Sequence, residues 1–491
     1  MKTHWRIAKN ALANLVKGGS AGAAALLLPA ILIRHMSKTE YAVWVLVLQV
    51  AAYSSYLEFG LQTAVGRYVA VANEKQDRDQ RDAIFSTAMV GLILTGILGI
   101  SCLLIVIFAA KWLFPGIPEE LLPHMKWALL IVGVSVAGGL PSSAWSGIFI
   151  GMQRHELITL ATGGAKLLSA ISLAVASIRG ASLLQMASIL ASINFVSYLV
   201  LYILVKRFTE VSFKAHLVQR AVARELFSYC MSLTVWSISM MLVNGLDLLL
   251  VGRFQLEALA PYSMAITLVT LLAGIQSAIF GATMPHAAVL HARKNSEALG
   301  KMVISATRLG VLILVLSGLP LLIYSPILMK IWVGKQYSLE AHMPLTILLI
   351  ANMVRLSGLP YATVLVASAQ QRLVTLSPIL EGVSNLVASI LLGMKFGAVG
   401  VATGTLVGAI IGMAGHVFYN MPRTQREIVV HIPNYIFSGI IIPVLATIPL
   451  FFLTFKSTRG VPPDTLSFIV LFGIAIFLSG AIVVPDLRKR G

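Results

Sequence analysis

The chain has 491 residues, of which 58% are hydrophobic and only 11% charged, and it carries a formal net charge of +18. A soluble domain of this length carries roughly a quarter charged residues, so a soluble globular protein is excluded. The two cysteines, Cys102 and Cys230, lie far apart in apolar segments and imply neither a disulfide framework nor a metal knuckle.

Apolar blocks recur along the chain, each of about 20 residues and long enough to cross a ~30 Å hydrocarbon core as a helix. Lipid offers no partner to an unpaired backbone group, so only helices or closed barrels span it. Barrel strands alternate apolar and polar residues over about ten positions, and these blocks do not. The fold class read from this pattern is all-α integral membrane.

In chain order, Met1 to Lys17 reads as a basic amphipathic helix on the cytoplasmic surface. The following GGSAGAAALLLPAILI, with its Ala-x-Ala sequences, has the look of a cleavable signal. The many later spans already commit the chain to the membrane, which argues against cleavage. The pattern predicts about fourteen spans. Six begin near Gly18, Tyr41, Ala83, Met125, Leu157 and Ala181. Another six begin near Leu226, Glu257, Met302, His342, Leu373 and Ala398, and the last two near Pro433 and Thr465. Connections are short, so no separate soluble domain is expected.

With both termini cytoplasmic, the cytoplasmic segments hold about 23 of the Lys and Arg residues, against about 11 on the other side. Those segments include MKTHWRIAKN, the VKRF to QRAVAR stretch, HARKNSEALGK and the terminal DLRKRG. Much of the positive charge is therefore topological and requires no nucleic-acid partner.

The sequence also repeats itself. LPSSAWSGIFIGMQR (Leu140 to Arg154) resembles LPYATVLVASAQQR (Leu359 to Arg372). GLQTAV, starting at Gly60, resembles GIQSAI at Gly274, and SIRGASL, around Gly180, resembles MKFGAVG around Gly397. All these separations fall within roughly 215–220 residues, which is the mark of an internal duplication. The repeat places spans 1–6 in an N-lobe (18–224) and spans 7–12 in a C-lobe (225–422). Spans 13 and 14 and a basic tail (423–491) follow. An even number of spans per copy makes the repeats parallel, related by an axis along the membrane normal, a geometry suited to alternating access by rocking. Pro141 and Pro360 are expected to bend or break corresponding helices and are candidate hinges. The stripe Gly400, Gly404, Gly408 and Gly412 predicts close helix packing.

No G-x-x-x-x-G-K-[ST] loop, H-E-x-x-H, Cys-x-x-Cys or G-x-S-x-G occurs, so neither an ATPase engine nor a familiar enzyme site is expected. His286 and His291, five residues apart, are poorly spaced to share a metal on one helical face. The informative residues are the charges inside apolar spans, since each costs a few kcal/mol unless protein or water surrounds it. Lys166, Arg308 and Arg355 are the basic candidates for a substrate cavity; Glu58, Asp247 and Glu381 are the acidic candidates for ion coupling. For Arg355 two roles stand open: facing substrate, or pairing with an acid on another helix. Its counterpart in the first repeat holds only Ser135, Val136 and their small neighbours. Asp247 is expected near the outer surface. Arg34 and Arg253, at the outer ends of their spans, are expected to snorkel.

Several stretches, in order along nearly the whole chain, resemble one known family. They are LEFGLQTAVGRYVA, SGIFIGMQRHEL, NGLDLLLVGRF, LEALAPYSMA, LMKIWVGKQYS and MKFGAVGVATGTLVGA. They are similar to the bacterial polysaccharide transporters, the O-antigen and exopolysaccharide flippases of the multidrug/oligosaccharidyl-lipid/polysaccharide (MOP) superfamily. The resemblance implies a MATE-like pair of six-helix lobes around a V-shaped cavity in the bacterial cytoplasmic membrane. It implies a substrate of undecaprenyl-diphosphate-linked oligosaccharide, flipped from the cytoplasmic to the outer leaflet. Membrane lipids, a polysaccharide polymerase and glycosyltransferases are the partners that fit. No cofactor is expected; an H+ or Na+ gradient or the membrane potential supplies the drive. The alternatives are a cation-coupled multidrug exporter of the same fold, a peptidoglycan precursor flippase, and a non-transporting scaffold of a polysaccharide assembly complex.

Overall fold

A computed structural model of the chain describes residues 22, 24–244, 246–281, 283–447 and 473–474. The N-terminal basic segment, the start of span 1, all of the last span but residues 473–474, and the basic tail lie outside the described residues. Among the described residues the regular structure is entirely helical, and ten helices are long and apolar enough to cross a membrane. Two shorter apolar helices, Ala24–His35 and Ile432–Ala446, stand where spans 1 and 13 are expected. The long segment Leu376–Thr424 covers two expected spans at once. The chain divides into two compact units, Met1–Ile238 with Gly252–Ala260, and Ser239–Val251 with Pro261–Gly491.

In the first unit, α1 (Ala24–His35) leads into α2 (Lys38–Tyr53). Ser37 and Glu40 form a capping box there: the Ser37 hydroxyl accepts the Glu40 N–H at 3.2 Å, and the Glu40 carboxylate accepts the Ser37 N–H at 3.0 Å. The span then breaks in a 3-10 turn, Ser54–Glu58, and restarts as α3 (Leu61–Glu74). Two left-handed residues, Phe59 (φ 52°) and Gly60 (φ 76°), make the corner. A hairpin leads to α4 (Arg78–Leu113), and span 4 follows as α5 (Leu122–Ala137) and α6 (Ser142–Gly151). Then come α7 (His155–Ile178) and α8 (Leu183–Phe208). The helix α9 (Arg220–Asn244) and the short α10 (Asp247–Phe254) each divide between the units.

α11 (Leu256–Gly281) divides too, entering the second unit at Pro261, and α12 (Met284–Ala292) and α13 (Ser296–Val333) follow. Span 10 is α14 (Lys335–Ser357) and α15 (Leu359–Ala367). Last come α16 (Leu376–Gly415) and α17 (Ile432–Ala446).

The duplication is visible in the backbone. Both Leu-Pro sequences stand at a helix break, Pro141 at the start of α6 and Pro360 in the first turn of α15. Breaking a helix in lipid frees carbonyls that need new donors. A tyrosine supplies one in each unit: Tyr198 donates to the Ser135 carbonyl at 3.1 Å, and Tyr435 to the Ser357 carbonyl at 3.4 Å. Gly180 (φ 72°) and Gly397 (φ 56°) occupy matching repeat positions, and both adopt the positive φ that glycine accepts most easily. The copies diverge at GLQ and GIQ: Gly60 makes the α2–α3 corner, whereas Gly274 lies inside the unbroken α11.

Gly397 turns α16 back on itself, which explains how so long a helical segment fits in a membrane. Its two arms run antiparallel, and the glycine stripe is the seam. A Cβ on Gly400 would strike the Leu392 carbonyl, one on Gly404 Ser389, and one on Gly412 the Glu381 carboxyl. At Gly408 it would lie 2.6 Å from the Asn385 Cβ. Lipid gives no hydrophobic drive for helix association, so this close approach is what holds the arms together. Gly404→Ala is accordingly expected to lower the melting temperature of the detergent-solubilised protein. Gly274→Ala, with nothing within 4 Å of the new methyl, leaves it unchanged or raises it slightly; equal effects of the two would show that the seam is not close-packed.

Candidate substrate and ion site

Three charged residues of the second unit, Asp247, Arg355 and Glu381, gather where α9, α10, α11, α14 and α16 meet. Arg355 lies in the last turn of α14, just before the break at Gly358, where a cation complements the negative end of the helix. Its Nε donates to Glu381 Oε1 at 2.7 Å, across from the first arm of α16. Both side chains are largely buried, at 16% and 9% exposure. Of the two roles open to Arg355, the structure gives it the acid on another helix. A guanidinium with five donors can hold one carboxylate and still present N–H groups elsewhere, so the pairing does not remove a role toward an anion.

Asp247 opens α10 and is buried at 7% exposure. Its Oδ2 accepts the Tyr262 hydroxyl at 3.0 Å and the Thr405 hydroxyl at 2.8 Å, and the Arg355 charge acts on it as well. Next to it, Asn385 donates to the Val243 carbonyl at 2.8 Å, and Ser389 donates to Asn385 Oδ1 at 3.0 Å. The result is a buried cluster of hard oxygen donors that carries two acids and one base. Such donors suit a proton or an alkali cation rather than a soft metal.

Sequence reading missed Asn385, Ser389, Tyr262 and Thr405. Asn385 and Ser389 follow Glu381 at intervals of four residues, a polar helical stripe inside an apolar span, and that signal was available. Thr405 adjoins Gly404 in the stripe; nothing in the sequence joins it to Asp247.

Arg308, also in the second unit, has a different surrounding. Its Nε donates to the Ser438 carbonyl at 3.1 Å, and its Nη2 meets the Ser438 hydroxyl. This fastens α13 to α17, the helix that follows the repeat.

In the first unit, Lys166 is exposed on α7 and borders a cavity of about 410 Å³. Asn194, Ser197 and Tyr198 of α8 and Ser169 of α7 give that cavity polar walls. Glu58 closes the 3-10 turn in span 2, and its Oε1 accepts the Gln62 N–H at 2.8 Å. It thereby satisfies an orphan donor at the start of α3, a structural employment that the sequence did not suggest. Arg253 does not simply snorkel: it donates to the Trp112 carbonyl at 2.6 Å and the Leu113 carbonyl at 3.0 Å, capping α4. Its guanidinium also lies 4.9 Å from the centre of the Trp112 ring. His291 approaches Glu427 at 3.6 Å.

Over residues 7–291, more than half of the chain, the sequence matches the model of a family described as Polysaccharide biosynthesis protein. No curated protein matches it by sequence. Among solved structures, the lipid II flippase MurJ in an inward closed conformation aligns with a TM-score of 0.73 at 13% identity, covering 98% of each chain. An inward-facing multidrug resistance MATE family transporter of the MOP superfamily aligns with a TM-score of 0.68 at 14% identity, over 83% of this chain and 95% of that one. A MOP superfamily transporter from Pyrococcus furiosus, described as having a binding pocket of reverse polarity, gives a TM-score of 0.54 at 12% identity. It covers 84% of this chain and 94% of its own. Identities this low carry the fold and nothing finer. The family match makes this chain a member of the polysaccharide biosynthesis protein family, a multi-pass, helical membrane protein whose fold is similar to those of the MurJ and MATE structures.

Proposed function

We propose that the protein flips an undecaprenyl-diphosphate-linked oligosaccharide from the cytoplasmic to the outer leaflet of the cytoplasmic membrane, for O-antigen or exopolysaccharide assembly. The observation that carries this reading is a guanidinium buried beside acids inside the bundle of a polysaccharide-family chain. In this reading both termini are cytoplasmic, and the two repeat units rock about the breaks at Pro141 and Pro360. Arg355 offsets the desolvation of the diphosphate, a bidentate acceptor that a guanidinium fits well. The prenyl tail stays in lipid. The cluster of Asp247, Asn385 and Thr405 takes up a coupling H+ or Na+, so that ion binding and Arg355 share one electrostatic setting. Arg308 belongs to the scaffold that fastens α17. A polymerase and glycosyltransferases are the partners that would consume and supply this substrate.

A cation-coupled exporter is the second reading, favoured by one observation: acids outnumber bases in the buried cluster of the second unit. Reconstitution separates the two. Proteoliposomes loaded with a fluorescent lipid-linked oligosaccharide on one leaflet are expected to lose leaflet asymmetry only when the protein is present. Export of a lipophilic cationic dye with no oligosaccharide movement would replace the proposed function with the second reading.

A further inference from the structure

A second site lies in the first unit, apart from the Arg355 cluster; Phe59, which follows Glu58, and Cys230, on which the Glu58 charge acts, are among its walls. A groove of about 620 Å³ runs between α3, α4 and the part of α9 that belongs to this unit. Its walls include Leu61, Gly91, Phe227 and Met231, and Arg220 and Arg224 stand at the first turns of α9. The chemistry changes along its length. Three threonines reach the groove, and each hydroxyl is already engaged. Thr95 donates to the Leu92 carbonyl at 3.1 Å, Thr234 to the Cys230 carbonyl at 2.9 Å, and Thr87 accepts the Gln219 N–H at 3.3 Å. The rest of the exposed lining is almost wholly apolar, so a sugar would find little beyond these three hydroxyls and a hydrocarbon chain would lose little by entering.

The charged end, by contrast, is held in place. Arg220 and Arg224 are one helical turn apart and share a face. The linker before them is clamped on α4: Lys214 pairs with the buried Asp82 at 2.9 Å, and its N–H donates to the Ser86 hydroxyl at 2.9 Å. Glu225, the neighbouring acid, interacts with Tyr68 of α3. From Arg220 to Thr234 the helix rises about 21 Å, somewhat more than half of a ~30 Å hydrocarbon core. A molecule with a phosphate at one end and a single-leaflet chain at the other matches both ends.

We propose that this groove binds an anionic phospholipid of the leaflet that the Lys and Arg distribution assigns to the cytoplasm. One acyl chain lies along Leu61, Phe227 and Met231, and the phosphate lies between Arg220 and Arg224. The lipid is a structural ligand, separate from the cargo.

The test uses the full-length protein, delipidated in detergent and titrated with phosphatidylglycerol or with phosphatidylcholine of the same chains. Bound lipid is read by native mass spectrometry. Two interfacial arginines correspond to about a thirtyfold preference for the anionic lipid. The double variant Arg220→Ala/Arg224→Ala is expected to abolish the preference, and Gly91→Leu, which fills the groove floor, to reduce binding of both lipids. Lys206→Ala, a basic residue outside the groove, leaves binding unchanged and controls for general charge loss. Monodisperse elution of each variant confirms folding. Equal retention of the two lipids by the unaltered protein overturns the proposal. So does displacement of phosphatidylglycerol by a polyprenyl diphosphate at equal concentration, which would assign the groove to cargo.

Discussion

Replacing Arg355 by alanine is expected to abolish oligosaccharide flipping and to destabilise the protein, and a second substitution separates the two effects. Alanine at 355 leaves Glu381 buried without its guanidinium, and breaking a buried pair from one side costs about 3–5 kcal/mol. The double variant Arg355→Met/Glu381→Gln removes both charges, so it should recover most of the melting temperature lost by the single variant. Transport should not recover with it, because the guanidinium proposed to meet the diphosphate is gone. A double variant that regains both stability and flipping would reduce Arg355 to a structural pairing. Arg355→Lys adds a finer measure: it keeps the charge and loses the fork, so partial activity is expected.

Asp247→Asn is expected to uncouple transport from the ion gradient. The asparagine side chain has the same size, and its carbonyl oxygen can accept the same hydroxyls from Tyr262 and Thr405, so the fold is retained. What disappears is the negative charge. One cation moved across 100 mV is worth about 2.3 kcal/mol, which corresponds to about a fiftyfold gradient-driven asymmetry. In proteoliposomes with an imposed Na+ or proton gradient, the variant should drop to equilibration with no net accumulation. Glu58→Gln should keep the coupling, since that carboxylate caps α3 and its loss costs about 0.5–2 kcal/mol of stability. The reverse result, with Asp247→Asn coupled and Glu58→Gln uncoupled, would move the ion site to the first unit.

Both experiments turn on residues that stood out in the sequence before their neighbours were known. A charge in an apolar span is visible in the sequence because lipid makes it costly, and Arg355, Glu381 and Asp247 were all found that way. Which charge faces which was not readable. Asp247 and Thr405 are far apart along the chain, and only the return of α16 at Gly397 brings the threonine onto the aspartate. Glu58 and Arg308 carry the opposite lesson. They were selected by the same rule, yet one caps a broken helix and the other ties α13 to α17, because a broken helix and a docked helix also need charged partners inside the membrane.

By itself the sequence determined the solvent, the helical class, the duplication and the family. Each follows from local or periodic properties: block length against hydrocarbon thickness, motif order, and the spacing of Leu-Pro and glycine landmarks. The glycine stripe already announced a close approach. The tertiary structure decided what approaches it, namely the preceding arm of the same hairpin, and it decided that Arg355 is answered by Glu381. It also revealed the groove under Arg220 and Arg224, whose threonines look polar in sequence and are spent on backbone partners in the fold. Pairing and burial depend on where breaks such as Gly358 and Gly397 redirect the chain, and no periodicity encodes a direction.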